Sequence, residues 1–222
     1  MNEQILLDHG SGGKRSRDLI RELFFTRLGN RYLEQESDAA LTEISDLLEL
    51  SPLDGKLAIT TDGHVVQPLE FPGGDIGRLA VCGTVNDLAV TGARPLYITA
   101  SFILEEGLPV STLERVVDSM GRAVQEADVS LVAGDTKVVG RGGCDGIFIS
   151  TTGVGVVRPE HDGIAEARDV QPGDAVLISG PVATHGAAII CARNGLEGDP
   201  PIRSDTGPLS GLTAMLIEKR VD

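Results

Sequence analysis

Tryptophan is missing from this chain, and aromatic residues of any kind fill only 3% of its 222 positions. A core without large rings has to be assembled from Val, Leu, Ile and Ala, which the apolar fraction of 41% can supply. Basic charge is also scarce, with 19 Lys and Arg against 33 Asp and Glu and a formal net charge of −14. That balance argues against a nucleic-acid partner, because phosphate backbones are held by clustered cations. The acid surplus serves solubility first of all. Only three cysteines occur, Cys82, Cys144 and Cys191, widely spaced and without a CxxC pair. Such usage speaks against a disulfide framework or zinc site and for small buried residues in a reducing cytoplasm. No apolar run approaches the roughly 18 residues of a membrane span. The start, Met1-Asn2-Glu3-Gln4, lacks the basic flank and apolar stretch of a signal peptide. A cytoplasmic protein with no membrane role is expected.

What the chain has in quantity is small residues beside carboxylates. Thr61-Asp62-Gly63, Asn86-Asp87 and Gly134-Asp135-Thr136-Lys137-Val138-Val139 each set an acid among Gly, Thr or Asn. Asp62 and Asp135 follow the short apolar runs Leu57–Thr61 and Val129–Ala133, so both are expected at strand ends. Acids in such surroundings suit a hard cation carrying a polyphosphate, and Mg²⁺ binds through one or two carboxylates plus substrate phosphates. Singly each acid reads as a turn residue. Together Asp62, Asp87 and Asp135 make a three-acid set, with Asp38 in Ser37-Asp38-Ala39-Ala40 as a candidate fourth member. Clustered carboxylates repel unless a cation or proton relieves them.

The spacing of Leu19, Ile20, Leu23, Phe24 and Leu28 predicts a helix over residues 14–28. Residues 31–56 read as an acidic loop. A strand at 57–62 leads to Phe71-Pro72-Gly73-Gly74-Asp75, where Asp75 caps a helix from Ile76 to about Val90 and Gly92 stops it. A strand from Leu96 to Leu104 follows, then an amphipathic helix opened by Pro109. Strands at Val129–Ala133 and Gly146–Val157 flank a Gly140–Gly143 loop. The order is β-α-β-α-β-β. Composition shifts near Arg158-Pro159, and a second unit opens with a strand at Ala175–Ser179 and helices at about 185–194 and 208–219. The domains are therefore expected at 1–157 and 158–222, the second incomplete.

Gly10-Ser11-Gly12-Gly13 precedes the first helix, where backbone N–H groups can meet a phosphate. A mobile tail is the plain alternative, and Lys14 and Arg15 tilt the reading toward an anion-binding flap. Gly73 and Gly74 allow close ligand approach ahead of the second helix. Gly83 lies four residues before Asp87 on the same helical face, leaving the surface beside that carboxylate bare. Asn86 and Asp87 form a polar pair in an apolar helix that needs water, a partner or a metal. Lys137 is expected on the same strand face as Asp135, to contact phosphate, orient substrate or pair with the acid. His64 and His185 read as structural residues.

Five strings together resemble the hydrogenase-maturation HypE family. They are Gly10–Gly13, Thr61-Asp62-Gly63-His64, Phe71-Pro72-Gly73-Gly74-Asp75-Ile76-Gly77, Thr84-Val85-Asn86-Asp87-Leu88-Ala89-Val90 and Gly134–Val139. The superfamily includes aminoimidazole ribonucleotide synthetase, thiamine-monophosphate kinase and selenophosphate synthetase. The resemblance runs from about residue 6 to residue 220. It implies an α+β fold: a four-stranded sheet with helices on one face, pairing into an eight-stranded barrel in a homodimer, followed by the incomplete start of a second α+β domain. It also implies ATP and Mg²⁺ between the domains. Asp62, Asp87, Asp135 and the candidate Asp38 would serve the metal. Gly10, Ser11, Gly12, Gly13, Gly73, Gly74, Asp75, Asn86, Asp87, Gly134 and Thr136 would serve the nucleotide. Lys137 would face the reacting group.

The activity implied is ATP-dependent dehydration of a protein-bound S-carbamoyl group to a thiocyanate, the source of the cyanide ligand of [NiFe]-hydrogenase. Implied partners are a HypF-like carbamoyl-transferring protein and the iron-carrying HypC–HypD complex. The chain departs from the family pattern at Ala183-Thr184-His185-Gly186, where relatives carry Gly-Asp-His-Gly. It ends at Val221-Asp222, before the family's Pro-Arg-Ile-Cys tail with its acceptor cysteine, so the chain alone is expected to be inactive. Two alternatives stay open: a small-molecule kinase or synthetase of the superfamily, and a non-catalytic dimerisation module.

Overall fold

The computed structural model describes residues 4–11, 13–35, 55–164, 167–196 and 198–219. A 3₁₀ turn, Leu7–Gly10, leads into helix α1, which runs as Lys14–Leu19, a π-helical stretch Ile20–Phe25 and Thr26–Leu28. Its Leu19, Leu23, Phe24 and Leu28 are buried, as their spacing demands. Of the 31–56 loop, Leu33–Gln35 forms a further 3₁₀ turn, and Asp38 lies outside the described residues.

Strand β1 (Lys56–His64) precedes a two-stranded ribbon, β2 (Glu70–Phe71) with β3 (Gly74–Asp75). Helix α2 (Ile76–Val90) starts where the Asp75 carboxylate accepts from the N–H groups of Gly77 at 2.8 Å and Arg78 at 3.0 Å. Gly92, at φ +80°, follows its end in the left-handed region that glycine tolerates. Strand β4 (Ala93–Glu105), helix α3 (Val110–Glu126), and strands β5 (Ser130–Val139) and β6 (Ile147–Val157) complete a four-stranded sheet. Its order is β1-β6-β4-β5, with β4 and β5 parallel across α3 and the remaining pairs antiparallel. Helices α4 (Thr184–Asn194) and α5 (Ser210–Glu218) lie in the C-terminal segment.

The α+β expectation and the β-α-β-α-β-β order hold. The helices cover one face of the sheet, against which Ile98, Ala100, Phe102, Leu104, Ile147 and Ile149 are buried. On the other face Leu57, Ile59 and Ile103 are exposed by 57%, 65% and 37%, so apolar side chains stand uncovered there. Among the described residues no helix is long and apolar enough to cross a membrane.

Two expectations need correction. Asp62 and Asp135 do not end strands but sit inside them, because β1 stays paired with β6 to His64↔Ile149 and β5 with β4 to Val139↔Glu105. The Thr and Val that follow Asp135 prolong pairing rather than break it. The strand expected at Ala175–Ser179 is not formed: Val176, Leu177 and Ile178 are 92%, 77% and 72% exposed. Strand backbone needs a hydrogen-bonding neighbour, and among the described residues none pairs with this segment.

Helix α2 approaches α3 closely at Gly77, where an added Cβ would stand 2.3 Å from Val116 O. Gly77→Ala is therefore expected to destabilise the chain by about 1–3 kcal/mol through overpacking. Urea titration checks this, and an unchanged midpoint would show that the helices part freely.

Candidate functional site

The sequence-predicted residues separate into three groups. The first lies between β1 and α2. Along β1, Ala58, Thr60, Asp62 and His64 face the helices while Leu57, Ile59, Thr61 and Gly63 face away, the strand period of two. Asp62 Oδ1 accepts the Gly63 N–H at 2.9 Å. Asp62 Oδ2 lies 3.5 Å from His64 Nε2. From the helix, Asp87 Oδ2 accepts from Thr60 Oγ1 at 3.1 Å. Gly83 leaves the surface between them bare: a Cβ there would stand 3.1 Å from Asp62 Oδ2 and 3.1 Å from His64 Cε1. His64 is buried, and burial pushes its imidazole below the ordinary value, outweighing the opposite pull of Asp62 and Asp87. Beside this group, an open groove of about 500 Å³ is lined by Ala58, Thr60, Asp87, Leu88, Thr91 and His161. Its size is that of a small-molecule site.

The second group lies at β5. Gly134, Thr136 and Val138 register with Ala100, Phe102 and Leu104 on the helix side; Asp135 and Lys137 register with Ser101 and Ile103 on the bare side. Lys137 does share a face with Asp135, and its Nζ donates to Oδ1 at 2.7 Å. That hydrogen bond, followed by the Thr136 N–H and then the lysine's charge, holds the Asp135 carboxyl below its usual range against the opposing pull of burial. Gly10 packs on the same strand, where a Cβ would stand 2.4 Å from Val138 N. Ser11 donates to Asp8 O, and Gly13 caps α1 with its carbonyl accepting from Arg17 N. Gly12 lies outside the described residues. A cavity of about 270 Å³ under α1 opens beside Gly10, Gly134, Asp135, Thr136 and Lys137.

Asp62 and Asp135 are thus separated by three strand spacings, roughly 14 Å, and point to opposite faces of the sheet. The three-acid set does not form. Among the described residues no group of three or more His, Cys, Asp or Glu is placed to hold a metal. Strands β6 and β4 intervene, and strand alternation turns Asp135 away.

The third group is occupied by the chain itself. Gly73, at φ +96°, lies against Ser204, whose N–H donates to Pro72 O at 2.8 Å, and a Cβ on Gly73 would meet Ser204 N and O at 2.6 Å. A Cβ on Gly74 would stand 3.7 Å from Thr206 Cβ. The Asp75 carboxylate is committed to the α2 cap. Asn86 donates to Gly207 O at 3.0 Å and accepts from Leu209 N at 2.7 Å. Arg78 adds a bond to Thr206 O. Here the close approach that glycine was expected to give a phosphate is given to the backbone of residues 204–209. The polar partner required by Asn86 is that same segment.

Sequence reasoning passed over His64, Thr84 and Thr151. His64 Nε2 lies 3.2 Å from Thr151 Oγ1, which lies 2.5 Å from Thr84 Oγ1, all three side chains buried. The alternation Asp62, Gly63, His64 was a usable signal for the first; nothing local links residues 84 and 151.

Residues 36–157 match the family model "AIR synthase related protein, N-terminal domain". The chain belongs to this family. Within it, the HypE resemblance read from the motifs is borne out. The chain is 50% identical over 216 residues to the carbamoyl dehydratase HypE of Rhodobacter capsulatus, covering 97% of this chain and 61% of that protein. A crystal structure of hydrogenase maturation protein HypE in complex with ATP superposes with a TM-score of 0.85 at 47% identity, covering 96% of this chain and 60% of the other. HypE in a HypE–HypF complex matches with a TM-score of 0.67 at 45% identity, over 90% and 62% of the two chains. The chain spans about three fifths of the length of the curated relatives it matches.

The Asn86 clamp has a measurable consequence. Asn86→Ala leaves the Leu209 N–H and Gly207 C=O without their side-chain partner, at a cost of about 1–3 kcal/mol in local stability. Hydrogen exchange at the Leu209 amide should quicken accordingly, and unchanged exchange would show the clamp to be dispensable.

Proposed function

We propose that this chain is the nucleotide-binding part of an ATP-dependent carbamoyl dehydratase of the HypE type, serving the cyanide ligand of [NiFe]-hydrogenase. The observation that carries the reading is the Asp62–Asp87 pair, set on either side of the bare Gly83 surface and beside an open groove. Its donor set fits Mg²⁺, which takes one or two carboxylates and leaves its other positions to water and phosphate. Asp62 and Asp87 would hold the ion, and its charge would screen a triphosphate. Asp135, on the other face of the sheet, is not a third ligand in this reading. When bound, ATP supplies a phosphoryl group that turns the carbamoyl oxygen into a leaving group, so the protein's share is positioning and charge neutralisation. Gly10, Gly134 and Thr136, around the second cavity, are assigned to the substrate side; Lys137, bonded to Asp135 on the bare face, is not.

Residues 1–157 are read as the ATP-binding and dimerisation unit and residues 158–222 as the start of a second. Names at about 50% identity favour dehydration over a kinase or synthetase reaction. A HypF-like partner is supported by the HypE–HypF complex; the HypC–HypD partner follows from the resemblance alone. None of the chain's own thiols is assigned as carbamoyl acceptor. Burial pushes Cys82 up to about 11 and raises Cys144 as well, which keeps the reactive thiolate scarce.

Titration calorimetry tests the nucleotide site. Asp87→Ala is expected to weaken Mg-ATP binding at least about tenfold, ~1.4 kcal/mol, and equal affinity would overturn the assignment.

The bare sheet face, with Leu57, Ile59 and Ile103, is read as the seam of a homodimeric barrel, since closure would cover it and remove exposed edges. Light scattering at micromolar concentration should report a dimer, and Ile59→Lys should yield a folded monomer. A monomeric unmodified chain with a folded circular-dichroism spectrum counts against the barrel.

A further inference from the structure

We infer that His64 is a positioning residue: held through Nε2 by Thr151, which in turn meets Thr84, it fixes the Asp62 carboxylate for a divalent cation. The inference rests on reading Asp62 as a cation ligand and adds a role to a residue outside the acid set. His64 is only 6% exposed, and burying an imidazole in an apolar core costs its hydration unless polar groups replace the water. Here they do. Nε2 faces Thr151 Oγ1 at 3.2 Å, and Thr151 Oγ1 faces Thr84 Oγ1 at 2.5 Å. The chain of polar groups thus runs from the middle of α2, across β6, to the end of β1.

The far end of that chain is the acid. Asp62 Oδ1 is taken by the Gly63 N–H, which leaves Oδ2 as the oxygen open to a ligand. Oδ2 lies 3.5 Å from His64 Nε2, so the ring edge sets where it can stand. Gly83 completes the arrangement, because a Cβ at that position would press on both Oδ2 and the imidazole Cε1 at 3.1 Å. Carboxylate, imidazole and bare helix surface therefore meet at one point. A histidine that merely filled the core would have no need of an acid on one side and a glycine on the other. Groups that orient a metal ligand from behind are worth tenfold or more in metal affinity.

Mn²⁺ is the probe, added to the ¹⁵N-labelled chain while broadening of the Gly63 and Gly83 amide signals is followed. In the unmodified chain both signals should broaden ahead of the rest, and Asp62→Asn should abolish this. His64→Leu is expected to raise the half-broadening concentration about tenfold, with the remaining amide spectrum and the melting temperature unchanged. His64→Gln, which keeps an N–H near the same place, should restore affinity to within about threefold. If His64→Leu does not fold, Thr151→Val decides, since loss of its hydroxyl should weaken Mn²⁺ at least about threefold. A folded His64→Leu, or in its absence Thr151→Val, that binds Mn²⁺ as the unmodified chain does overturns the inference and leaves the Asp62 reading standing. Unaltered broadening in Asp62→Asn overturns both.

Discussion

Helix α2 can lie where it does because three glycines let it approach its neighbours closely. At Gly77 it touches the backbone of α3; at Gly153 strand β6 yields to Thr84 and Leu88, whose side chains would stand 2.6 and 3.0 Å from an added Cβ; at Gly83 it meets Asp62 and His64. Close packing at these contacts brings the Asp87 carboxylate within hydrogen-bond reach of β1. It also places the Thr84 hydroxyl against Thr151, so the buried polar chain depends on the same contacts. A glycine inside a helix costs roughly 1 kcal/mol relative to alanine, and here the loss is offset by the contacts it permits.

Much of this was legible from the residues alone. The helix signals at Asp75 and Pro109 were local: a carboxylate that can cap and a ring preset for the first turn. Both helices begin there. The pairing of Lys137 with Asp135 followed from strand alternation. What failed was every inference that needed to know which strands lie side by side. Asp62 and Asp135 are both flanked by Gly and Thr, yet the β1-β6-β4-β5 order puts two strands between them. The apolar run at Ala175–Ser179 has strand propensity, but propensity forms no ladder without a partner.

Gly73, Gly74 and Asn86 teach a related lesson. Their spacing announced that something approaches closely, and something does. The visitor is the backbone of residues 204–209, over a hundred positions further along. A glycine-rich turn reports the proximity of main chain or ligand without saying which, and only the folded arrangement distinguishes them.

The pairing of β1 with β6 joins residues 56–64 to residues 147–157, the first strand of the sheet to its last. On a ribosome, then, β1 emerges long before β6, its hydrogen-bonding neighbour among the described residues. Until Val157 has cleared the exit tunnel, β4 and β5 can pair around α3, but Leu57 and Ile59 belong to a strand with nothing beside it. Completion of the sheet is consequently a late, long-range event, and non-local pairing of this kind is slow to form. The interval in which β1 waits is the period when a nascent chain of this kind has most need of a chaperone.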